Sequence, residues 1–377
     1  MREYVEDTGG YTVIPEETPH RLLRPIMAST VERWARRSAP VEAGVDSSSR
    51  PLETSVGALA VGGAASAAPG LYPLAEWPSL HGLYGGGGPG FVAVIGVRAR
   101  GSWPLVAESP AGYSYEEYSL EQALDEMRVS LENWLLSGPV LEWARRARRA
   151  GMAPVVLVDG PVVPVTMAFQ GGARTVGDSR YREAWRRLVE ERLDAIRRLE
   201  RAGAAVVGVV KRLGKSTILS RLAGAVRGLE RLARSGVGDQ RMLYYLYQRE
   251  TRWLPGRVYA SPRLRVIITR DGEVAVEKIV EYLAVPPGKW SRSPGAARFY
   301  RVEYTEGSRK LLERLGARGV YPVVHDSVLR GSLEPVEIAA SDRRARQITR
   351  SLRGLIAGLL VREGVPLEYR ALMEAHA

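Results

Sequence analysis

Apolar positions along the chain follow two periods. Alternation and short apolar runs predict strands at 42–46, at 57–66 and at 91–99, with the Gly85 to Gly88 run and Pro89 marking a loop before the third. These three read as an antiparallel meander. Spacings of three and four predict a helix from Ser119 to about Ser137, with Ser119 as N-cap and Leu124, Met127, Leu131 and Leu135 along one face. A second helical piece, 139–150, leads into a strand at 154–159, and a densely charged helix over 178–202 feeds a strand at 204–210 that stops at Lys211. Beyond it, 216–250 reads as helical, and 263–269, 273–283 and 298–304 alternate like strands. An Arg-rich helix over 341–362 carries Ile348, Leu352, Leu355, Ile356 and Leu359 on its apolar side. Residues 1–40 form a polar arm with a short helix around Thr30 to Trp34, and no internal repeat is visible. Three strands, then helix, strand, helix, strand is the order of an α/β fold, a mixed sheet with helices packed on it.

Within that pattern, Val155-Val156-Leu157-Val158-Asp159-Gly160 delivers a carboxylate to the tip of a strand whose β-branched run suits burial on both faces. Gly160 lets the backbone turn where the carboxylate emerges. Gly44-Val45-Asp46-Ser47-Ser48-Ser49-Arg50 repeats the form of an Asp at a strand end followed by small residues. Taken alone, each Asp reads as a turn residue. Two together, with Glu132 on the helix before the second strand, read as a metal site.

Composition narrows the chemistry. There are no cysteines, which excludes disulfides, zinc thiolates, cysteine-ligated clusters and cysteine nucleophiles. A metal must sit on oxygen or on His20, His81, His325 or His376, and oxygen ligation points to magnesium or manganese. A net charge of +12 at pH 7 favours a polyanionic partner, although only five of the 54 basic residues are lysines and an arginine bias has other origins. No apolar run approaches the ~20 residues of a membrane span. The N-terminus is too acidic for a secretory signal, so a cytoplasmic protein is expected. The segment from Gly208 through Gly214-Lys215-Ser216-Thr217 imitates a phosphate-binding loop, but five residues rather than four separate its first Gly from Gly-Lys. Lys211 then reads either as a surface lysine or as a cation at a strand end that can meet a DNA phosphate.

In order, these segments resemble the NurA family of archaeal DNA-end-processing nucleases. The matching pieces are Val45 to Arg50 with the glycine-bearing strand after it, Arg128 to Glu132, Val156 to Gly160, Val207 to Lys211, Phe299 to Tyr304, and Gly364-Val365-Pro366 with Leu372 to His376. The resemblance spans roughly 40 to 377. It implies an RNase H-like mixed sheet flanked by helices, with an N-terminal arm at 1–40, a nuclease domain at 41–377 and a helical and β insertion around 216–300. It further implies metal-binding acids at Asp46, Glu132 and Asp159, His376 as the fourth active-site member, Mn2+ or Mg2+ as cofactor, a homodimer, and a partnership with the HerA-type hexameric translocase. The chain departs from the family where Ser47 and Pro161 replace its usual Gly and Ser, and where Gly364-Val365-Pro366 replaces Gly-Tyr-Pro, leaving Tyr369 as a candidate for the family's tyrosine.

The expected function is a 5′→3′ DNA exonuclease with single-strand endonuclease activity in double-strand-break end resection, acting on single- and double-stranded DNA ends. Two ions about 3.5–4 Å apart supply an activated water and stabilise phosphoryl charge in such sites. Lys211, Arg50 and Arg212 would hold the DNA backbone, and phosphate contacts alone leave cleavage sequence-independent. The alternative is a catalytically weak DNA-binding adaptor of the translocase. A nucleotide hydrolase using 208–217 is a weaker option still.

Overall fold

The computed structural model describes residues 11–16, 22–54, 57–78, 94–96, 120–164, 176–214, 216–219, 237–250, 258–270, 273–285, 297–329, 332 and 334–367. Its strands are β1 (Tyr11–Pro15), β2 (Arg24–Ile26), β3 (Pro40–Thr54), β4 (Gly57–Ala68), β5 (Leu71–Trp77), β6 (Val94–Gly96), β7 (Ala153–Asp159), β8 (Ala205–Val210), β9 (Val258–Ala260), β10 (Leu264–Arg270), β11 (Glu273–Val285) and β12 (Arg298–Tyr304). Its helices are α1 (Ala28–Ser38), α2 (Leu120–Ser137), α3 (Pro139–Arg149), α4 (Val176–Arg201), α5 (Asp239–Glu250), α6 (Glu306–Arg314), α7 (Val320–Leu329) and α8 (Val336–Arg362). The chain forms two compact units. The first comprises Met1–Glu42, Arg146–Val162 and Glu200–Val336, and the second Ala43–Arg145, Val163–Leu199 and Glu337–Ala377. Among the described residues no helix is long and apolar enough to cross a membrane.

In the first unit the strands run β1-β10-β11-β12-β8-β7. All neighbours are antiparallel except β7 and β8, so this sheet is mixed. A short ribbon of β2 and β9 joins at β11. Every residue of β8, and of β7 up to Val158, is buried, as the β-branched run predicts for a strand covered on both faces. After Asp159 the chain folds back over β8. Gly160, at φ 127°, donates its N–H to Val209 at 3.0 Å, and a Cβ on Gly208 would lie 2.3 Å from the Val162 nitrogen. Only glycine at 208 admits that close approach. Gly208 therefore faces protein backbone rather than an anion.

A buried ionic network holds the same loop. Glu303 pairs with Lys278 at 2.8 Å and with Arg301 at 2.8 Å, and it accepts a hydrogen bond from the Val162 backbone. Burial alone would raise the Glu303 carboxyl, but the two cations outweigh it and hold it below the usual carboxylate range. Arg301 also donates to Ser216 at 2.7 Å, while Ser216 and Tyr282 both donate to Asp239. Within the 216–250 region read as helical, the described residues are helical at 218–219 and in α5, and residues 220–236 lie outside the described residues.

In the second unit β3, β4 and β5 form the antiparallel meander. Its third strand is β5, not the expected 91–99 segment, whose described part is β6. The two share one edge of β4, β5 along Ala64 to Ala68 and β6 along Ala58 to Ala60. β4 is mostly Gly and Ala, which lets helices approach closely. α2 packs on β4. α8 packs Ala345 and Ile348 on Ala65, and Ala357 on Val61 and Leu52. The i, i+4 row Ile348, Leu352, Ile356, Leu360 faces this core. Leu355 and Leu359, expected on the same side, are exposed at 59% and 42%, because they lie on a row rotated away from it. Bidentate contacts from Arg344 to Glu76 at 2.5 and 3.0 Å fasten α8 to β5.

Candidate metal centre

Asp46 does not end its strand. β3 continues to Thr54, because each serine after Asp46 meets a partner that stabilises extended backbone: Ser47 Oγ donates to Glu132 at 2.6 Å, Ser49 Oγ donates to the Leu124 carbonyl at 3.0 Å, and the Ser48 carbonyl accepts from Thr349 at 3.0 Å. Strand alternation then sorts the side chains by face. Ser47 and Ser49 face α2. Asp46 lies opposite Ala65, which packs under α8, and Gly44 lies so close to α8 that a Cβ would sit 2.2 Å from the Glu337 carbonyl.

Asp46 thus looks toward α8, and there it meets Asp342. The two residues each bring a carboxylate oxygen within 4.8 Å of the other's. Asp46 is only 6% exposed. Like charges this close, one of them buried, oppose each other unless a cation or proton intervenes. Arg346 Nε donates to Asp342 at 2.7 Å from a mostly exposed side chain. The donor set is oxygen throughout, which fits a hard divalent ion.

Glu132 is placed differently. Besides accepting from Ser47, it pairs through Oε2 with Arg192 Nη2 at 2.5 Å. Arg192 is fully buried, and its Nε donates to Asn133 at 2.5 Å, while Asn133 donates to the Leu188 carbonyl at 2.9 Å. These bonds clamp α2 to α4. Glu132 therefore lies on the α2 face of β3, and the face that carries Asp46 is the opposite one.

In the first unit Asp159 closes β7 as the sequence predicts. Lys211, one residue past the end of β8, reaches its Oδ2 at 2.7 Å and the Oε2 of Glu334 at 2.9 Å. Burial works against the ammonium charge, yet the two carboxylates outweigh it and hold the lysine well above its ordinary value. Lys211 is 28% exposed, so the bridge is reached by solvent. Glu334 is set by Pro335 and the start of α8, and its carbonyl accepts from Ser332 at 2.6 Å.

Arg50 and Arg212 are exposed. His376 and Tyr369 lie outside the described residues. Sequence reasoning missed three residues here. Asp342 stands in a run of arginines that reads as a solvated basic face, and Glu334 stands in a short segment without period. Arg192 did carry a signal: it falls on the stripe of Trp185, Leu188, Ile196 and Leu199, where a charge needs a buried partner.

Comparison with known proteins adds the lineage. No curated protein matches the chain. A crystal structure of the NurA nuclease from Sulfolobus solfataricus is similar at 12% identity and a TM-score of 0.43, covering 87% of this chain and 86% of that one. The family model of the NurA domain matches residues 41–347, most of the chain. That match takes in β3 with Asp46, α2 with Glu132, β7 with Asp159 and α8 as far as Asp342, and it shows that the chain belongs to the NurA family.

Proposed function

We propose that the protein is a divalent-metal-dependent deoxyribonuclease that degrades DNA ends. The observation that carries this reading is the Asp46 and Asp342 pair, two carboxylates facing each other in a chain of net charge +12 that belongs to the NurA family. Acids concentrated at one point of a basic protein suit a cation that is itself presented to a polyanion.

Asp46 and Asp342 hold the metal in this proposal, as Mn2+ or Mg2+, and Asp159 stays a proposed metal-binding acid on the family resemblance. Bound there, divalent ions activate water and neutralise charge developing on the phosphoryl group. The protein's own share is orientation. β3 and β7 hold their carboxylates on buried backbone, Lys211 stands at the end of β8 as a cation for phosphate, and Arg50 and Arg212 extend that role. Glu132, expected as a ligand from the sequence, stays a proposed member, with Ser47 and Arg192 fixing its carboxylate. His376 stays the proposed fourth member. The RNase H-like core, the homodimer, the HerA-type translocase, 5′→3′ polarity with single-strand endonuclease activity, and a role in end resection follow from the family resemblance and belong to the same proposal.

The test is digestion of end-labelled single- and double-stranded DNA by the full-length protein with Mn2+, Mg2+ or chelator, beside Asp159→Asn. Loss of several kcal/mol of transition-state stabilisation predicts a fall of at least about 100-fold in the variant. Equal cleavage by both proteins would sink the assigned site. DNA binding without metal-dependent cutting would favour the adaptor reading instead.

A further inference from the structure

Lys211 is shared between two carboxylates of the first unit, and the two differ in what else they can do. Asp159 ends a buried strand and is fixed by the fold of β7 and the loop pinned over Gly208. Glu334 lies between Ser332 and Pro335 at the head of α8, and its side chain reaches the lysine. A lysine held only by Asp159 would compete with any divalent ion for that carboxylate, since both interactions need the same oxygens and the same negative charge. A second carboxylate at 2.9 Å changes the competition. The ammonium can leave Asp159 without leaving the site.

We propose that Glu334 is a positioning residue that takes over Lys211 when Asp159 turns to a divalent ion, so that the lysine passes from counter-ion of Asp159 to a cation kept beside the substrate phosphate. This rests on the nuclease reading above. It assigns to Glu334 a role that neither the sequence pattern nor the acid pair supplies. Lysine suits the task better than arginine, because its compact ammonium on a flexible stem moves between partners without breaking a bidentate geometry.

The experiment is a cycle of Glu334→Gln, Lys211→Met and the double variant in the full-length protein, with Mn2+ binding followed by electron paramagnetic resonance of the free ion. Glu334→Gln should weaken Mn2+ binding about tenfold, the lower end of what a partner outside the ligand set contributes. Lys211→Met should tighten it several-fold while reducing cleavage. In the double variant the Glu334→Gln effect should vanish, leaving the affinity of Lys211→Met alone. An equal loss in the presence and absence of the lysine would overturn the proposal, as would no loss in Glu334→Gln. If Glu334→Gln does not fold, Lys211→Met alone decides, and unchanged or weaker Mn2+ binding in it would contradict the proposal. A wild-type protein that binds no Mn2+ would overturn the nuclease reading and this inference with it, an outcome distinct from binding without coupling.

Discussion

Glu132 in the second unit and Asp159 in the first each meet a cation, but they meet it in opposite ways. Glu132 is held by an arginine with no exposure that also bonds Asn133, and by a serine hydroxyl on its other oxygen. Asp159 is held by a lysine that is 28% exposed and already has a second carboxylate in reach. The first arrangement is a strut. Withdrawing either partner leaves a charge buried and unpaired, so it resists exchange. The second is exchangeable, because solvent and Glu334 offset the loss of either contact. Asp159 is therefore the one of the two acids that can change partners at low cost.

The largest effect should come from breaking the strut. Arg192→Met should lower stability by about 3–5 kcal/mol, the cost of an abandoned buried charge, read as a drop in the urea midpoint. A loss below about 1 kcal/mol would mean that Glu132 is free to exchange, and the contrast would fail.

A second buried pair sharpens the contrast through pH. Glu303 is fully buried between Lys278 and Arg301, and its folded-state value lies below its ordinary one of 4.5. The unfolded chain therefore binds the proton first as pH falls. The stability it contributes is complete above about 4.5 and is lost as pH drops below that value through the depressed folded one. Glu303→Gln should be less stable at neutral pH and show a shallower acid limb in unfolding midpoint against pH. An unchanged acid limb would show that Glu303 is not the group being titrated.

The smallest stability effect should come from the exchangeable bridge. Lys211→Met should lower the unfolding free energy by less than Arg192→Met does, since Lys211 and Glu334 each keep 28% of the side chain exposed and solvent offsets part of the loss. A loss as large as that of Arg192→Met would make Lys211 a strut too, and the proposed hand-over would have no room to operate.

The residues explain which parts of this arrangement are legible in the sequence. β7 with Asp159 is visible because a β-branched run bounded by glycine has few other readings, and α2 is visible from Met127, Leu131 and Leu135, all buried. The family order of segments is legible too, and the NurA match includes the three acids read from it. Asp46 is visible as an acid but misplaced along its strand, since Ser47 to Ser49 read as turn residues until α2 and α8 supply their hydrogen-bond partners. Asp342 is hidden by its charged neighbours. What identifies it is the alternation of β3, which aims Asp46 at α8, and that depends on a packing between helix and strand that no local pattern contains.

The account stands most directly on whether Asp46 and Asp342 share a divalent ion. The decisive measurement is Mn2+ titration by calorimetry of the wild-type protein, Asp46→Asn and Asp342→Asn, with cleavage of single-stranded DNA assayed on the same samples. The account predicts that each variant loses at least about tenfold in Mn2+ affinity and about 100-fold in cleavage, with unfolding temperatures preserved. Wild-type affinity and cleavage in Asp342→Asn would contradict it.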